Sequence, residues 1–130
     1  MENNNSHENL IVIVGNCCSG KTTLANLLEE KGYNAKAVLQ EHAISKKMWR
    51  RTKPDILVLL SCNLDTAKSR RNFSWGQYRL DKQRELLSDA SKNAHLKIQT
   101  DNLTKEEVCQ KVIKFLEKRN NSGENKSKGY

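Results

Sequence analysis

The chain alternates between short apolar runs and longer segments in which apolar residues recur every three or four positions. Residues 10–14 and 56–60 are apolar at every position, which is typical of parallel strands that are covered on both faces. Shorter runs predict two weaker strands, at residues 33–40 and 95–99. Helical spacing and capping residues predict helices at residues 21–31, 64–71 and 75–93, and a last helix that begins at a capping box in residues 104–107.

This alternation of strands and helices predicts an α/β domain with right-handed crossovers. The expected architecture is a three-layer α/β/α fold around a small, mostly parallel sheet of about four strands. Residues 10–119 are the predicted domain, and the polar segments 1–9 and 120–130 are predicted to be disordered tails, because they have little apolar surface to bury. In sheets of this kind ligands bind at the carboxyl ends of the strands, which directs attention to the segments that follow each strand.

The segment after the first strand matches the phosphate-binding pattern G-x-x-x-x-G-K-[S/T]. A chain of this length would contain the pattern by chance on the order of a few times per thousand, and here it lies between a strand and a helix, as the pattern requires. Gly15 and Gly20 allow the backbone to approach a polyphosphate closely. Loop amides and the helix N-terminus favour anions, Lys21 is expected to bridge the β- and γ-phosphates, and Thr22 is expected to bind Mg²⁺. The predicted cofactor-binding residues are Gly15, Asn16, Cys17, Cys18, Ser19, Gly20, Lys21, Thr22 and Thr23.

An alternative remains for this segment, namely a glycine turn that only joins a strand to a helix. Cys17 and Cys18 stand at variable positions of the pattern. A thiol near a helix N-terminus and a lysine can be acidic enough for oxidation to block nucleotide binding, or these positions simply tolerate small residues. The four cysteines lack zinc spacing and are predicted to be reduced thiols.

With this motif, the strand at 56–60 and the pair Arg70-Arg71, the chain resembles the small P-loop kinases related to adenylate and shikimate kinases. It is also similar to short, functionally uncharacterised P-loop proteins that carry a Gln-Glu-His segment. The resemblance to kinases implies that Arg70 and Arg71 contact the nucleotide, that Arg79 or Arg84 reaches in from a lid, and that residues 100–102 approach the base. The alternative for Arg70 and Arg71 is a solvated helix end.

The chain departs from the kinase pattern in two places. No aspartate stands at the tip of the strand at 56–60, which ends in Ser61-Cys62-Asn63, and the nearest acidic candidate is Glu41 at the exit of the second strand. Glu41 could hold a Mg²⁺-bound water or act as a general base with help from His42, or it could belong to a polar loop. The stretch between residues 23 and 54 is also too short for a separate acceptor-binding domain, so residues 41–53 and the lid would have to hold an acceptor. The predicted catalytic residues are Lys21, Glu41, Arg70 and Arg71.

The net charge of +8 suits phosphate-rich partners, and no apolar run approaches the roughly 20 residues of a membrane helix. The chain is therefore predicted to be a cytoplasmic protein that binds ATP, or another nucleoside triphosphate, with Mg²⁺. As an enzyme it would be a nucleoside triphosphatase or a kinase that transfers the γ-phosphoryl group to an unknown small acceptor. The alternative is a nucleotide-dependent switch or a nucleic-acid-associated module that uses the basic segment 45–53. There Trp49 would either stack on a base or pack on the core.

Overall fold

The computed structural model describes residues 9–16, 19–70 and 76–128. Within them four parallel strands form one sheet in the order β2-β1-β3-β4. The register places Val12 of β1 between Lys36 of β2 and Leu57 of β3. The prediction of an α/β fold with a small parallel sheet is confirmed. The strands are β1 (Leu10–Gly15), β2 (Asn34–Ala37), β3 (Ile56–Ser61) and β4 (Leu96–Gln99).

Helices connect the strands, and side-chain caps begin two of them where the sequence predicts. Asn63 accepts a hydrogen bond from the Thr66 backbone N–H (2.9 Å). Thr104 and Glu107 form a reciprocal capping box at 2.8 and 3.1 Å. No helix in the described part of the chain is both long enough and apolar enough to cross a membrane. The helices are α1 (Lys21–Glu30), α2 (Leu64–Arg70), α3 (Gln77–Leu86), α4 (Ser88–Asn93) and α5 (Lys105–Lys128), with 3₁₀ turns at Gln40–His42 and Met48–Thr52.

The sheet is covered on both faces, because successive side chains of β1 point to opposite sides. Ile11 and Ile13 join one buried cluster, which includes Leu24 and Leu28 of α1 and Val112 of α5. The second cluster contains Val12, Val14, Val38, Trp49, Leu57, Leu87 and Ala90. Two apolar clusters on opposite faces of one sheet are compatible with the predicted three-layer arrangement.

Two elements differ from their predicted bounds near the carboxyl edge of the sheet. The second strand, predicted to reach residue 40, ends at Ala37. Two residues later the chain enters the 3₁₀ turn that carries Glu41. The helix predicted at 75–93 is two helices that break at Leu87. At the end of α3 the carbonyl oxygen of Leu86 accepts a hydrogen bond from the Gln40 side chain (3.0 Å). A side chain that enters the hydrogen-bond ladder of a helix is a known cause of such breaks.

The last helix continues past residue 119 to Lys128, into the segment that the sequence predicts to be a tail. On α3, the side chain of Tyr78 is 77% exposed.

Candidate functional site

Residues 15–22, called here the glycine loop, join β1 to α1 at the carboxyl edge of the sheet. Gly15 pairs with Leu60 of β3, and a Cβ at this position would collide with Leu60 O and lie 2.6 Å from Ser19 Oγ. Gly20 has φ of +100°, in the left-handed region that side chains disfavour. Both glycines of the motif therefore meet a steric requirement.

Asn16 fixes the glycine loop to the end of β3. Its Oδ1 accepts from Cys62 N (2.9 Å), and its Nδ2 donates to Cys62 O (3.1 Å). Its backbone carbonyl accepts from Ser19 N at 3.1 Å. The Asn16 side chain is only 2% exposed, so its role in this structure is to set the shape of the loop. The sequence motif gave no sign of this bridge, because the pattern allows any residue at that position.

Lys21 and Glu41 form a buried ion pair at the start of α1. Lys21 Nζ lies 2.7 Å from Glu41 Oε2 and 3.3 Å from the carbonyl oxygen of Asn16. The two side chains are 7% and 2% exposed, and His42 Nε2 lies 3.7 Å from the same Glu41 oxygen. The structure thus brings together two predicted site residues that are far apart in the sequence.

The second carboxylate oxygen of Glu41 is unsatisfied in the described part of the chain. Glu41 Oε1 is buried and has no hydrogen-bond partner among the described residues, and such an atom calls for an explanation, such as a water or an ion. Within the described ranges no group of three or more His, Cys, Asp and Glu side chains could hold a metal on its own. Mg²⁺ at a phosphate needs only one or two protein ligands, with phosphate oxygens and waters completing its shell. The exposed Thr22 hydroxyl and Glu41 Oε1 fit that requirement.

Arg70 lies against the other side of the glycine loop. Its guanidinium donates to Thr100 Oγ1 (3.0 Å) and Thr100 O (2.6 Å). The buried Thr100 hydroxyl lies 3.2 Å from the carbonyl oxygen of Ser19, to which it can donate a hydrogen bond. Arg70, an exposed residue at the end of α2, is therefore held beside the glycine loop by its contacts with Thr100. Its contact with a nucleotide stays a prediction.

A cavity of about 250 Å³ opens between these groups and α5. Its walls combine two cationic side chains, three hydroxyls and an apolar surface. Pockets that take a whole drug-sized ligand measure about 300–1,000 Å³, so this cavity suits one part of a ligand, such as a flat ring. The lining residues are Ser19, Gly20, Thr23, Leu24, Arg70, Thr100, Leu103, Lys105 and Val108.

The turn after β4 joins the same edge. Asp101 Oδ1 accepts a hydrogen bond from Asn63 N (2.8 Å), which ties the ends of β3 and β4 together. Burial acts to raise the pKa of Asp101, but hydrogen bonds, chiefly from Asn63 N–H, hold that pKa below its usual value. Its Oδ2 is buried and has no hydrogen-bond partner among the described residues.

Some predicted residues do not reach this site. Arg79 and Arg84 are exposed and do not line the cavity beside Arg70; Arg84 instead lies 3.7 Å from Asp81. Cys17, Cys18 and Arg71, which were predicted to bind nucleotide, lie outside the described residues.

The basic segment 45–53 is anchored by its aromatic residue. Trp49 is 7% exposed, and its Nε1 donates to Asp89 Oδ2 (3.0 Å). Arg50 donates twice to the same carboxylate, at 2.8 Å each; this pair raises the pKa of Arg50 and lowers that of Asp89. The expectation that Trp49 packs on the core is confirmed, and its ring is not available for stacking on a base.

The Gln40 side chain forms hydrogen bonds to the backbone of the same segment. The sequence did not indicate this role. The side chain is fully buried. Its amide nitrogen donates to Ser45 O and Leu86 O, and its Oε1 accepts from Trp49 N (2.7 Å). Gln40 therefore holds the turn that presents Glu41, the basic segment and α3 in one arrangement.

No protein-family model matches the chain, and no curated protein is significantly similar to it.

Proposed function

We propose that this chain binds ATP, or another nucleoside triphosphate, together with Mg²⁺, as a small kinase or nucleoside triphosphatase of the P-loop group. One observation carries the proposal: a buried lysine of the glycine loop begins α1, and its ammonium group faces a carboxylate at the carboxyl edge of a parallel sheet. Lysine is rarely buried unless it is paired, and this edge is where parallel α/β sheets bind ligands.

The phosphates would lie over the glycine loop at the start of α1. Backbone N–H groups and the helix dipole favour an anion there, and Lys21 would exchange Glu41 for the β- and γ-phosphates. Glu41 would then face the Mg²⁺ shell through a water and Thr22 would bind the ion directly. Bound Mg²⁺ would neutralise phosphate charge and orient the γ-phosphoryl group.

The base would enter the 250 Å³ cavity beside Arg70. The planar guanidinium of Arg70 can stack on a purine, and Leu24, Leu103 and Val108 offer an apolar wall. Thr100 supports the arrangement, since it links Arg70 to Ser19. A ligand bound in this way would touch the glycine loop and the helix after β3 at once.

Glu41 is the residue that supports catalysis in this proposal. β3 ends at Ser61 and is followed by Cys62 and Asn63, so no acidic residue stands at the tip of the strand. Glu41 instead follows β2, which lies on the opposite side of β1 from β3. From there its carboxylate reaches Lys21 of the glycine loop. It would position a water or an acceptor hydroxyl and accept its proton.

Titration calorimetry with ATP, with and without Mg²⁺, tests the proposal. Lys21→Ala should weaken ATP binding by about 100-fold or more, because it removes a buried charge partner, and Lys31→Ala, at the exposed other end of α1, should bind as the wild type does. Since Lys21→Ala leaves Glu41 buried without its partner, the double variant Lys21→Met/Glu41→Gln provides a second test in a folded background. Wild-type protein that takes up no nucleotide, or full ATP affinity in both Lys21 variants, would refute the proposal.

The second candidate is a nucleotide-dependent switch with negligible turnover. It is favoured by the end of β3, where Asn16 and Asp101 already engage Cys62 and Asn63 and no acidic residue stands at the tip of the strand. ATP turnover by the wild type that falls in Glu41→Gln, with ATP·Mg²⁺ affinity nearly intact, would identify an enzyme. Tight binding without turnover would identify a switch. Salt-dependent RNA or DNA binding would support a nucleic-acid module, although Trp49 and Arg50 are already engaged within the chain.

A further inference from the structure

A second cavity, of about 640 Å³, lies on the segment that directly follows Glu41. Its volume is within the range of about 300–1,000 Å³ that small-molecule sites occupy. None of its lining residues belongs to the glycine loop or to the cavity beside Arg70. The lining residues are His42, Ala43, Ile44, Ser45, Lys47, Met48 and Arg51.

The charged groups of this cavity are all basic. Lys47 and Arg51 line it, His42 stands at its edge towards Glu41, and no acidic side chain is among the lining residues. In the described part of the chain neither Lys47 nor Arg51 forms a salt bridge. The neighbouring Arg50 differs, since Asp89 neutralises it. The charge of Lys47 also acts on Asp89, but among the described residues neither cation of this concave surface is in a salt bridge, and such a pair favours an anionic ligand.

The remaining lining is apolar. Ile44 is fully exposed to solvent, and together with Ala43 and Met48 it offers a surface that a hydrophobic group could cover. A phosphate ion alone would leave this surface exposed. The combination suits a small organic anion with an apolar body.

The cavity is connected to the nucleotide site by one chain of contacts. His42 Nε2 lies 3.7 Å from Glu41 Oε2, and the same oxygen lies 2.7 Å from Lys21 Nζ. Gln40 holds the far wall in place through Ser45 O and Trp49 N. A ligand in this cavity would thus lie beside the residues that handle the γ-phosphate.

We propose that this cavity binds the phosphoryl acceptor, and that the acceptor is a small organic anion with a hydroxyl group. Its carboxylate or phosphate binds Lys47 and Arg51, and its apolar part lies on Ile44 and Met48. In the transfer the acceptor oxygen forms a bond to the γ-phosphorus, and the bond from that phosphorus to the β–γ bridging oxygen breaks. ADP leaves, and the hydroxyl proton passes to Glu41 and then to water. This assignment rests on the proposed function.

Three matched probes test it in the presence of ATP·Mg²⁺: 4-(hydroxymethyl)benzoate, 4-(hydroxymethyl)phenyl phosphate and the neutral 4-(hydroxymethyl)benzamide. Binding is followed by the NMR shifts of the backbone amides of residues 42–51, and transfer by the release of ADP. We expect the anionic probes to bind at least about tenfold more tightly than the amide and to accelerate ADP release. The preferred anion distinguishes a carboxylate acceptor from a phosphate acceptor.

The variant Lys47→Gln/Arg51→Gln should weaken the anionic probes by about tenfold or more and reduce ATP affinity much less, only through the loss of overall charge. Lys46→Gln, an exposed lysine of the same segment that does not line the cavity, should have no effect. Equal binding of charged and neutral probes, no binding of any probe to protein that holds ATP, or unchanged binding in the double variant would overturn the assignment. If ATP itself does not bind, the proposed function fails and the acceptor role fails with it. If the anionic probes then still bind the wild type more tightly than the Lys47→Gln/Arg51→Gln variant, the cavity is an anion site that serves another activity.

Discussion

Lys21 and Glu41 are the residues in which stability and the proposed function are most closely coupled. Both are almost fully buried and lie 2.7 Å apart. A buried ion pair gains little net stability over apolar residues of similar size, because desolvation offsets its attraction. Removing one partner is nevertheless costly, since the other charge stays buried. A pair of this kind at the start of a helix is better explained by binding than by folding.

A double-mutant cycle measures this coupling. Glu41→Gln and Lys21→Met should each lower the free energy of unfolding by about 3 kcal/mol, whereas the double variant should lie close to the wild type. Urea unfolding of the four proteins without nucleotide provides the measurement. Strictly additive losses in the double variant would show that the two charges do not compensate one another.

At the scale of elements, β3 and β4 are joined at their start by two hydrogen bonds between residues 57 and 95. His95 N donates to Leu57 O (2.8 Å), and Leu57 N donates to His95 Nδ1 (2.9 Å). The second bond requires an unprotonated Nδ1. Burial and the nearby charge of Arg119 lower the pKa of His95, so the folded state favours the neutral ring. The edge strand β4 is therefore sensitive to pH at this end.

The sign of the pH effect follows from linkage. The pKa of His95 is lower in the folded chain than its unfolded value of about 6.5, so the unfolded state binds more protons as the pH falls. Stability should be complete above about pH 7 and decline below about pH 6.5. His95→Asn, which keeps an acceptor near Nδ1 but does not titrate, should show a weaker decline in melting temperature between about pH 7 and pH 5. The same decline in both proteins would assign it to another group.

The whole molecule carries a net charge of +8, and the proposed site lies at one edge of a small sheet. A positive field of this kind attracts an anionic nucleotide over distances longer than contact, and salt weakens it because the screening length is about 10 Å at 0.1 M ionic strength. The overall charge should therefore act on the rate of association, while the contacts of the site determine the rate of release.

Stopped-flow binding of a fluorescent ATP analogue separates these two rates. The association rate constant should fall as NaCl is raised, and the dissociation rate constant should change little. The variant Lys36→Gln/Lys97→Gln removes two positive charges from exposed positions on β2 and β4 and should slow association without changing dissociation. A dissociation rate that changes as much as the association rate would contradict this assignment.

Much of the fold follows from local patterns. The four strands, the caps at Asn63 and Thr104 and the glycine motif are present where the sequence indicates, because each depends on residues a few positions apart. The early end of β2 and the break at Leu87 were not predicted. The turn after β2 and the end of α3 are joined by the Gln40 side chain, whose partners Ser45, Trp49 and Leu86 are up to 46 positions away, and a local pattern does not report contacts at that distance.

The candidate site also contains features that contiguous residues determine and features that only distant contacts determine. The sequence by itself determined the glycine loop and the presence of Lys21, since the pattern, the preceding strand and the following helix are contiguous. Only the tertiary structure decided that Glu41 faces Lys21, that Arg70 is held by Thr100 and that Trp49 is buried. These contacts depend on which strands are neighbours in the sheet and on where each strand leaves it. Strand order and exit points result from the packing of the whole chain, and no local segment encodes them.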